Sequence, residues 1–253
     1  MPVPLIIANW KTNPASPEEA ADLAVKIDTA ASGKNAEVVV APPLVYLAKI
    51  GTLLKKAKLG AQNAVWSGGA YTGEVSVEEL KKLGVRYIIV GHSERRIKLN
   101  ETDEMVNKKV QAALKEKMKA VLCVGERIRE GREIPEEVGE ELRQDLAGIK
   151  AADMANLIVA YEPVWAISGN ADARADSPEG AFKALIYIRK ILTSLFGAAV
   201  AAKARVIYGG SVDSKNIAGF LEEGKMEGVL VGRASLNAEE FSKIILRAGN
   251  FKS

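Results

Sequence analysis

Residues 5–11 read Leu5-Ile6-Ile7-Ala8-Asn9-Trp10-Lys11, and this stretch decides the fold. Four apolar residues without polar alternation describe a strand buried on both faces, as in a parallel sheet covered by helices. The residues that follow separate the two ways of building such a sheet. An open, doubly wound, dinucleotide-binding sheet leaves its first strand through Gly-x-Gly-x-x-Gly, whereas this strand runs into Asn9-Trp10-Lys11. Similar short runs recur at Val38–Ala41, Leu59–Gln62, Tyr87–Val90, Ala120–Val124, Leu157–Tyr161, Arg205–Tyr208 and Gly228–Val231. Helical patterns lie between them. Ser16-Pro17-Glu18-Glu19 is a capping box with proline at the first helical position. Thr102-Asp103-Glu104 and Ser177-Pro178 open two more helices, and Asn237 to Arg247 closes the chain. Eight strands, each followed by a helical stretch, predict an α/β chain folded as a (β/α)8 barrel. No linker or low-complexity stretch divides it, so a single domain over 1–253 is expected.

Composition narrows the function. The chain has 253 residues, 48% of them hydrophobic, and 35 Lys+Arg against 32 Asp+Glu give a net charge of +3. That balance, with no block of basic residues, points away from nucleic acid as a partner. The single cysteine, Cys123, excludes an internal disulfide framework and a cysteine-rich metal site. No run approaches the roughly 18 apolar residues of a membrane span, so a cytoplasmic protein without membrane contact is expected.

The polar and glycine residues that composition leaves unexplained follow the strands: Asn9 and Lys11, Gln62 and Asn63, His92, Glu126, Glu162, Gly209-Gly210-Ser211, and Gly232-Arg233. In a barrel, all strand C-termini open at one mouth, so these residues would converge on one pocket. Most lysines are merely solvated, but Lys11 at the lip of a buried strand suits a cation facing an anionic ligand. His92, the only histidine, starts the segment His92-Ser93-Glu94-Arg95-Arg96. A helical turn beginning there would aim backbone N–H groups at the imidazole and favour the neutral ring as a donor. Glu162 follows a buried strand and precedes Pro163-Val164-Trp165, which suits a partly desolvated general base as well as a plain ion-pair partner. The glycine turns after the seventh and eighth strands match the phosphate site of this architecture. The long connection from Pro163 to Ser177 has the length of a functional lid.

Taken together, the motifs resemble the triosephosphate isomerase family along essentially the whole chain. They are Asn9-Trp10-Lys11, Gly60-Ala61-Gln62-Asn63, Tyr71-Thr72-Gly73-Glu74, Gly91-His92-Ser93-Glu94-Arg95-Arg96, Cys123-Val124-Gly125-Glu126, Tyr161-Glu162-Pro163-Val164-Trp165-Ala166-Ile167, Tyr208-Gly209-Gly210-Ser211-Val212 and Val231-Gly232. The resemblance implies a TIM barrel that interconverts dihydroxyacetone phosphate and glyceraldehyde 3-phosphate through an enediolate. This family is itself a standard illustration of the division of labour that follows. Glu162 would be the base taking the pro-R proton from C1, and neutral His92 the electrophile and proton shuttle. Lys11 would stabilise phosphate and oxyanion charge, with Asn9 as a further donor. Glu94 would hold Lys11, while backbone amides of Ser211, Gly232 and Arg233 would hold phosphate together with Ser168 or Gly169 of the lid. Glu126 would partner the Trp165 indole, Tyr208 and Ser211 would latch the closed lid, and Ile167 and Leu230 would keep the pocket dry. No cofactor or metal is implied. The loop 64–79, with Thr72, Gly73 and Glu74 near its tip, would enter a second subunit and form a homodimer.

Two departures from the family pattern stand out. Residues 168–177 are about three longer than the usual lid, and Arg233 stands where a second glycine is common. Altered lid kinetics is the expected consequence. Two other readings compete with the isomerase. One is a phosphosugar lyase or aldolase with Lys11 as an imine-forming nucleophile. The other is a silent relative that only binds phosphate.

Overall fold

The computed structural model describes residues 3–131, 133–167 and 176–251. Its strands are β1 (Leu5–Asn9), β2 (Glu37–Ala41), β3 (Lys58–Ala61), β4 (Tyr87–Val90), β5 (Lys119–Val124), β6 (Leu157–Tyr161), β7 (Arg205–Tyr208) and β8 (Gly228–Val231). Every neighbouring pair is parallel, and β1 pairs with both β2 and β8, which closes the barrel. The helices are α1 (Pro17–Ala31), α2 (Leu44–Leu53), α3 (Val77–Lys82), α4 (Ser93–Lys98), α5 (Asp103–Lys115), α6 (Glu136–Asp145), α7 (Pro178–Phe196), α8 (Ala198–Ala201), α9 (Ile217–Glu222) and α10 (Ala238–Gly249).

The predicted start residues cap their helices, although at Ser16 only half of the expected capping box forms, the Glu19 side chain making no return bond to the Ser16 amide. Ser16 accepts a hydrogen bond from the Glu19 amide, Thr102 from Met105, Ser177 from Gly180 and Asn237 from Glu240. Each cap satisfies an N–H that the first helical turn cannot pair. The strands differ from expectation by a residue at some ends. β2 and β5 begin one residue earlier, and β3 covers 58–61 instead of 59–62: its pairing with β2 starts at Lys58 opposite Val39, and its pairing with β4 ends at Ala61 opposite Ile88.

Alternation along the strands divides the apolar residues into two cores. Leu5 and Ile7, Val39 and Ala41, Tyr87 and Ile89, Val121 and Cys123, Ile158 and Ala160, Ile207 and Leu230 fill the barrel interior. Their neighbours, such as Ile6, Val38, Ile88, Leu122, Val159 and Val206, face the helices. The same parity carries beyond the strand ends. Two residues after Ile7 comes Asn9, after Ala160 Glu162, after Ile207 Gly209 and after Leu230 Gly232. The strand pleat itself therefore delivers these four positions to the axis of the C-terminal mouth. Among the described residues, no helix is long and apolar enough to cross a membrane.

Candidate active site

Lys11 is placed by its own backbone. Its φ of 53° lies in the left-handed region, which costs a non-glycine residue about 1–3 kcal/mol and persists only when surroundings over-determine it. Here the Lys11 amide donates to Asn9 Oδ1 at 3.1 Å, and Gln62 Nε2 donates to the Lys11 carbonyl at 2.8 Å. Gln62 also donates to the Ala41 carbonyl at 2.9 Å, so the turn is tied to β2. The result aims the ammonium at Glu94 Oε1, 2.6 Å away. Burial alone would raise the Glu94 carboxyl, but the Lys11 hydrogen bond, with the charges of Lys11 and Lys98, outweighs it and holds the group below its ordinary range.

His92 sits at the N-cap of α4, and its Nδ1 accepts a hydrogen bond from the Glu94 amide at 3.2 Å. A nitrogen that accepts carries no proton, so the ring is neutral and its proton is on Nε2. That atom lies 3.1 Å from Glu162 Oε1, and Glu162 Oε2 accepts from the Ser93 amide at 3.2 Å. Both side chains are almost wholly buried, His92 at 7% exposure and Glu162 at 2%. Two glycines make room for the carboxylate. A Cβ on Gly209 would approach Glu162 Cγ to 2.6 Å, and one on Gly125 would strike the Glu162 carbonyl oxygen at 2.0 Å.

These groups line a cavity of about 220 Å³ together with Asn9, Lys11, Ile167, Gly210, Leu230, Gly232 and Arg233. Lys11, His92 and Glu162, predicted to meet, do meet. Gly232 lies beside the Lys11 side chain, 3.6 Å from Cε for a Cβ built there, so the glycine turn and the ammonium face the same space. Ser211 is engaged differently from expectation. Its amide and hydroxyl both donate to the Ala166 carbonyl, at 3.1 and 2.8 Å.

At the entry to the long connection, Trp165 Nε1 donates to Glu126 Oε1 at 2.9 Å, the predicted pairing. Glu126 also accepts from the Tyr161 hydroxyl and from Arg129 Nε, at 2.9 and 2.7 Å. Arg129, which the sequence reading did not single out, further bonds the Tyr161 hydroxyl and lies 3.9 Å from Asp176. Tyr208 is stacked on Phe220 at 4.0 Å, with its hydroxyl buried near the Asp176 carboxyl; burial pushes both groups up. Ser168 and Gly169, the candidate lid residues, lie outside the described residues.

The segment 64–79 is anchored at its base by the Val65–Ser76 bridge, and residues 67–74, including Thr72, Gly73 and Glu74, are exposed. A second cavity of about 560 Å³ adjoins the first, lined by Lys11, Gln62, Gly73, Glu74, His92 and Glu94 among others. Two of its lining residues, Leu44 and Leu99, are exposed apolar side chains, and Val45 beside Leu44 is 81% exposed. Among the described residues, no group of three or more His, Cys, Asp or Glu side chains is placed to hold a metal ion.

Behind the site lies a buried cluster that sequence reasoning missed. Arg96 of α4 is surrounded by Asp103 of α5 and by Glu141 and Asp145 of α6. Its one available signal was acidic residues at 141 and 145, four apart, on the helix side that also carries Val138 and Leu142.

Comparison with known proteins agrees along the chain. Residues 4–248 match the family model described as triosephosphate isomerase. The triosephosphate isomerase of Caldanaerobacter subterraneus subsp. tengcongensis is 43% identical over 247 residues, covering 96% of this chain and 98% of the relative. That of Alkaliphilus oremlandii is 42% identical over the same coverage, and that of Moorella thermoacetica is 42% identical over 248 residues, 96% and 97% of the two chains.

Proposed function

The chain belongs to the triosephosphate isomerase family, and we propose that it interconverts dihydroxyacetone phosphate and D-glyceraldehyde 3-phosphate by proton transfer at the Lys11–His92–Glu162 constellation. The observation that carries this reading is the pairing of a neutral imidazole, with its proton on Nε2, and a buried carboxylate 3.1 Å away. Abstraction of a proton next to a carbonyl needs a base at the carbon and a donor at the oxygen, and this pair supplies one of each.

Substrate entering the cavity displaces the mutual His92–Glu162 contact. The Glu162 carboxylate removes the C1 proton, and the electron pair moves to O2, where the His92 Nε2–H and the Lys11 ammonium receive the developing charge. His92 passes a proton between O1 and O2 of the enediolate, and Glu162 returns its proton to C2. Asn9, whose Oδ1 is occupied by the Lys11 amide, turns its NH2 group to the substrate. Phosphate is held at the Gly232 and Arg233 amides beside Lys11, with Ser211 joining once it releases the Ala166 carbonyl, and with a lid amide from Ser168 or Gly169. Glu94 steadies the ammonium, while Glu126 steadies Trp165. Tyr208 and Ser211 latch the lid. Ile167 and Leu230 exclude water, which strengthens every charge interaction inside.

The imine-forming alternative is disfavoured by the Lys11–Glu94 contact of 2.6 Å, because a paired ammonium keeps the proton that such a nucleophile must lose. The protein is also proposed to act as a homodimer in the cytoplasm, without a cofactor. The exposed 67–74 tip supplies a segment, and the 560 Å³ cavity with its apolar surroundings supplies a place for the same segment of a second copy. The test is a coupled assay of dihydroxyacetone phosphate turnover with light scattering on the same sample. Turnover by a dimer is expected; no isomerisation overturns the activity, and a fully active monomer overturns the assembly.

A further inference from the structure

Glu141 and Asp145 belong to no part of the chemistry above, yet they touch its supports. The Arg96 guanidinium donates to the Gly91 carbonyl at 2.8 Å, to the Cys123 carbonyl at 3.4 Å and to Asp145 Oδ2 at 2.6 Å, and it also bonds Asp103. Gly91, at φ 70°, is the turn that re-aims the chain from β4 to His92, and Arg96 packs directly on it. Glu141 Oε1 lies 3.9 Å from Arg96, and its Oε2 accepts the Gly125 amide at 2.9 Å. Gly125 in turn backs the Glu162 carbonyl, while the Glu162 amide donates to Val124 at 2.8 Å. One guanidinium and one carboxylate thus grip the ends of β4 and β5, against which both reacting side chains are set.

Among the described residues the charges do not balance: three carboxylates face one guanidinium, and the Asp145 carboxylate has no exposure, with Oδ1 meeting no described partner. Desolvation lifts Glu141 to about 7 and Asp145 to about 8 against the pull of Arg96, and Asp103 adds to the rise of both. The other groups facing the pair are Glu137 on α6, which adds repulsion, and the buried Cys123 thiol on β5. Tyr187 of α7 is turned away, donating to Glu136.

We propose that Glu141 and Asp145 are positioning residues of the isomerisation, and that one of their two carboxyls keeps its proton, which lets Arg96 and the Gly125 amide hold the ends of β4 and β5 against which His92 and Glu162 are set. When that proton leaves, two buried negative charges compete for one guanidinium and one backbone amide. Arg96 is then drawn from Gly91 and Cys123, and the alignment of base and electrophile loosens. The proton belongs to the pair, as expected for two interacting acids around one cation.

The inference rests on the isomerase reading, and two measurements on the full-length chain keep the two apart. Carboxyl carbon NMR of the unliganded protein, with glutamate and aspartate labelled, is expected to show one proton of this pair titrating between about pH 7 and 8; assignment comes from Glu141→Gln and Asp145→Asn. Both carboxyls titrating below pH 5 overturns the inference whatever the activity. In turnover, wild-type kcat is expected to fall at least fivefold from pH 7 to pH 9.5, whereas Glu141→Gln, whose amide oxygen still accepts from Gly125, falls less than twofold. Glu141→Leu removes the acceptor and lowers kcat about tenfold at every pH, with KM within twofold. A Glu141→Gln profile that follows wild type, or wild-type kcat in Glu141→Leu, overturns the positioning role; folding is confirmed for each variant by circular dichroism.

Discussion

The two ends of the barrel use charge in opposite ways. At the N-terminal end, Glu37, Tyr87, Lys119 and Arg205 are the first residues of β2, β4, β5 and β7. Arg205 donates to Glu37 at 2.9 Å, Lys119 lies 3.1 Å from the Tyr87 hydroxyl, and Tyr87 bonds Glu37. All four partners sit within regular strands, so their geometry costs nothing extra. At the C-terminal mouth the charged groups follow the strands, on backbone that needs a left-handed Lys11 and glycines at 91, 125 and 209. Residues beyond a strand end are free to be re-aimed, and the strain of re-aiming them is carried by the rest of the barrel. Stability is thus concentrated at one end and chemistry at the other.

Substitutions at the two ends should therefore separate turnover from stability. After loss of the base itself, the largest effect is expected for His92→Gln, which removes the Nε2 donor of a neutral ring: kcat should fall about 10²- to 10³-fold, with Tm within a few degrees of wild type. Steady-state kinetics beside thermal unfolding checks this, and a parallel collapse of both would erase the distinction. Gly209→Ala tests clearance, since a methyl 2.6 Å from Glu162 Cγ must push the base aside. An expected loss of up to about 10²-fold in kcat, small against a base deletion, follows from a displacement of about 1 Å.

The N-terminal end should respond in the opposite sense. Arg205→Ala leaves Glu37 without its guanidinium, and a loss of about 2 kcal/mol in unfolding free energy is expected, with kcat within twofold of wild type. A kinetic defect without a stability defect would contradict the contrast.

The smallest expected effects are those of pH, and they have opposite signs. Burial alone would raise the Glu37 carboxyl, but Tyr87, Lys119 and Arg205 outweigh it and hold it low. Its contribution is present above the ordinary carboxylate range and lost as pH falls through it. Glu141 and Asp145 are raised, so the folded protein holds more protons than the unfolded chain between their ordinary range and about pH 8. Stability from that cluster falls as pH rises across the window. Thermal unfolding should show Glu141→Gln gaining on wild type at pH 8 relative to pH 5. The gap between Glu37→Gln and wild type should narrow towards acid.

The eight strands were legible because doubly buried β-branched runs have few other uses, and the mouth residues were legible because strand parity carries past the last hydrogen bond. Asn9, Glu162, Gly209 and Gly232 follow from counting by two. His92 does not, since Gly91 breaks the count, and only the lone histidine at a helix start marked it. Arg129, Arg96, Glu141 and Asp145 were not read, because their partners come from elements far apart in sequence whose approach only packing reveals. Gln62 was noted as unusual, but its task of tying the Lys11 turn to β2 needs coordinates. The Ser211 amide was expected on phosphate and instead meets Ala166, a contact that no spacing encodes.

Glu162→Gln, assayed both for turnover and for affinity towards a phosphorylated triose analogue, tests the account most directly. If the buried carboxylate is the base, kcat should drop by about 10³-fold or more while the dissociation constant stays within threefold, because the phosphate grip lies with other residues. A fall of less than tenfold in kcat, or equal losses in turnover and affinity, would contradict it.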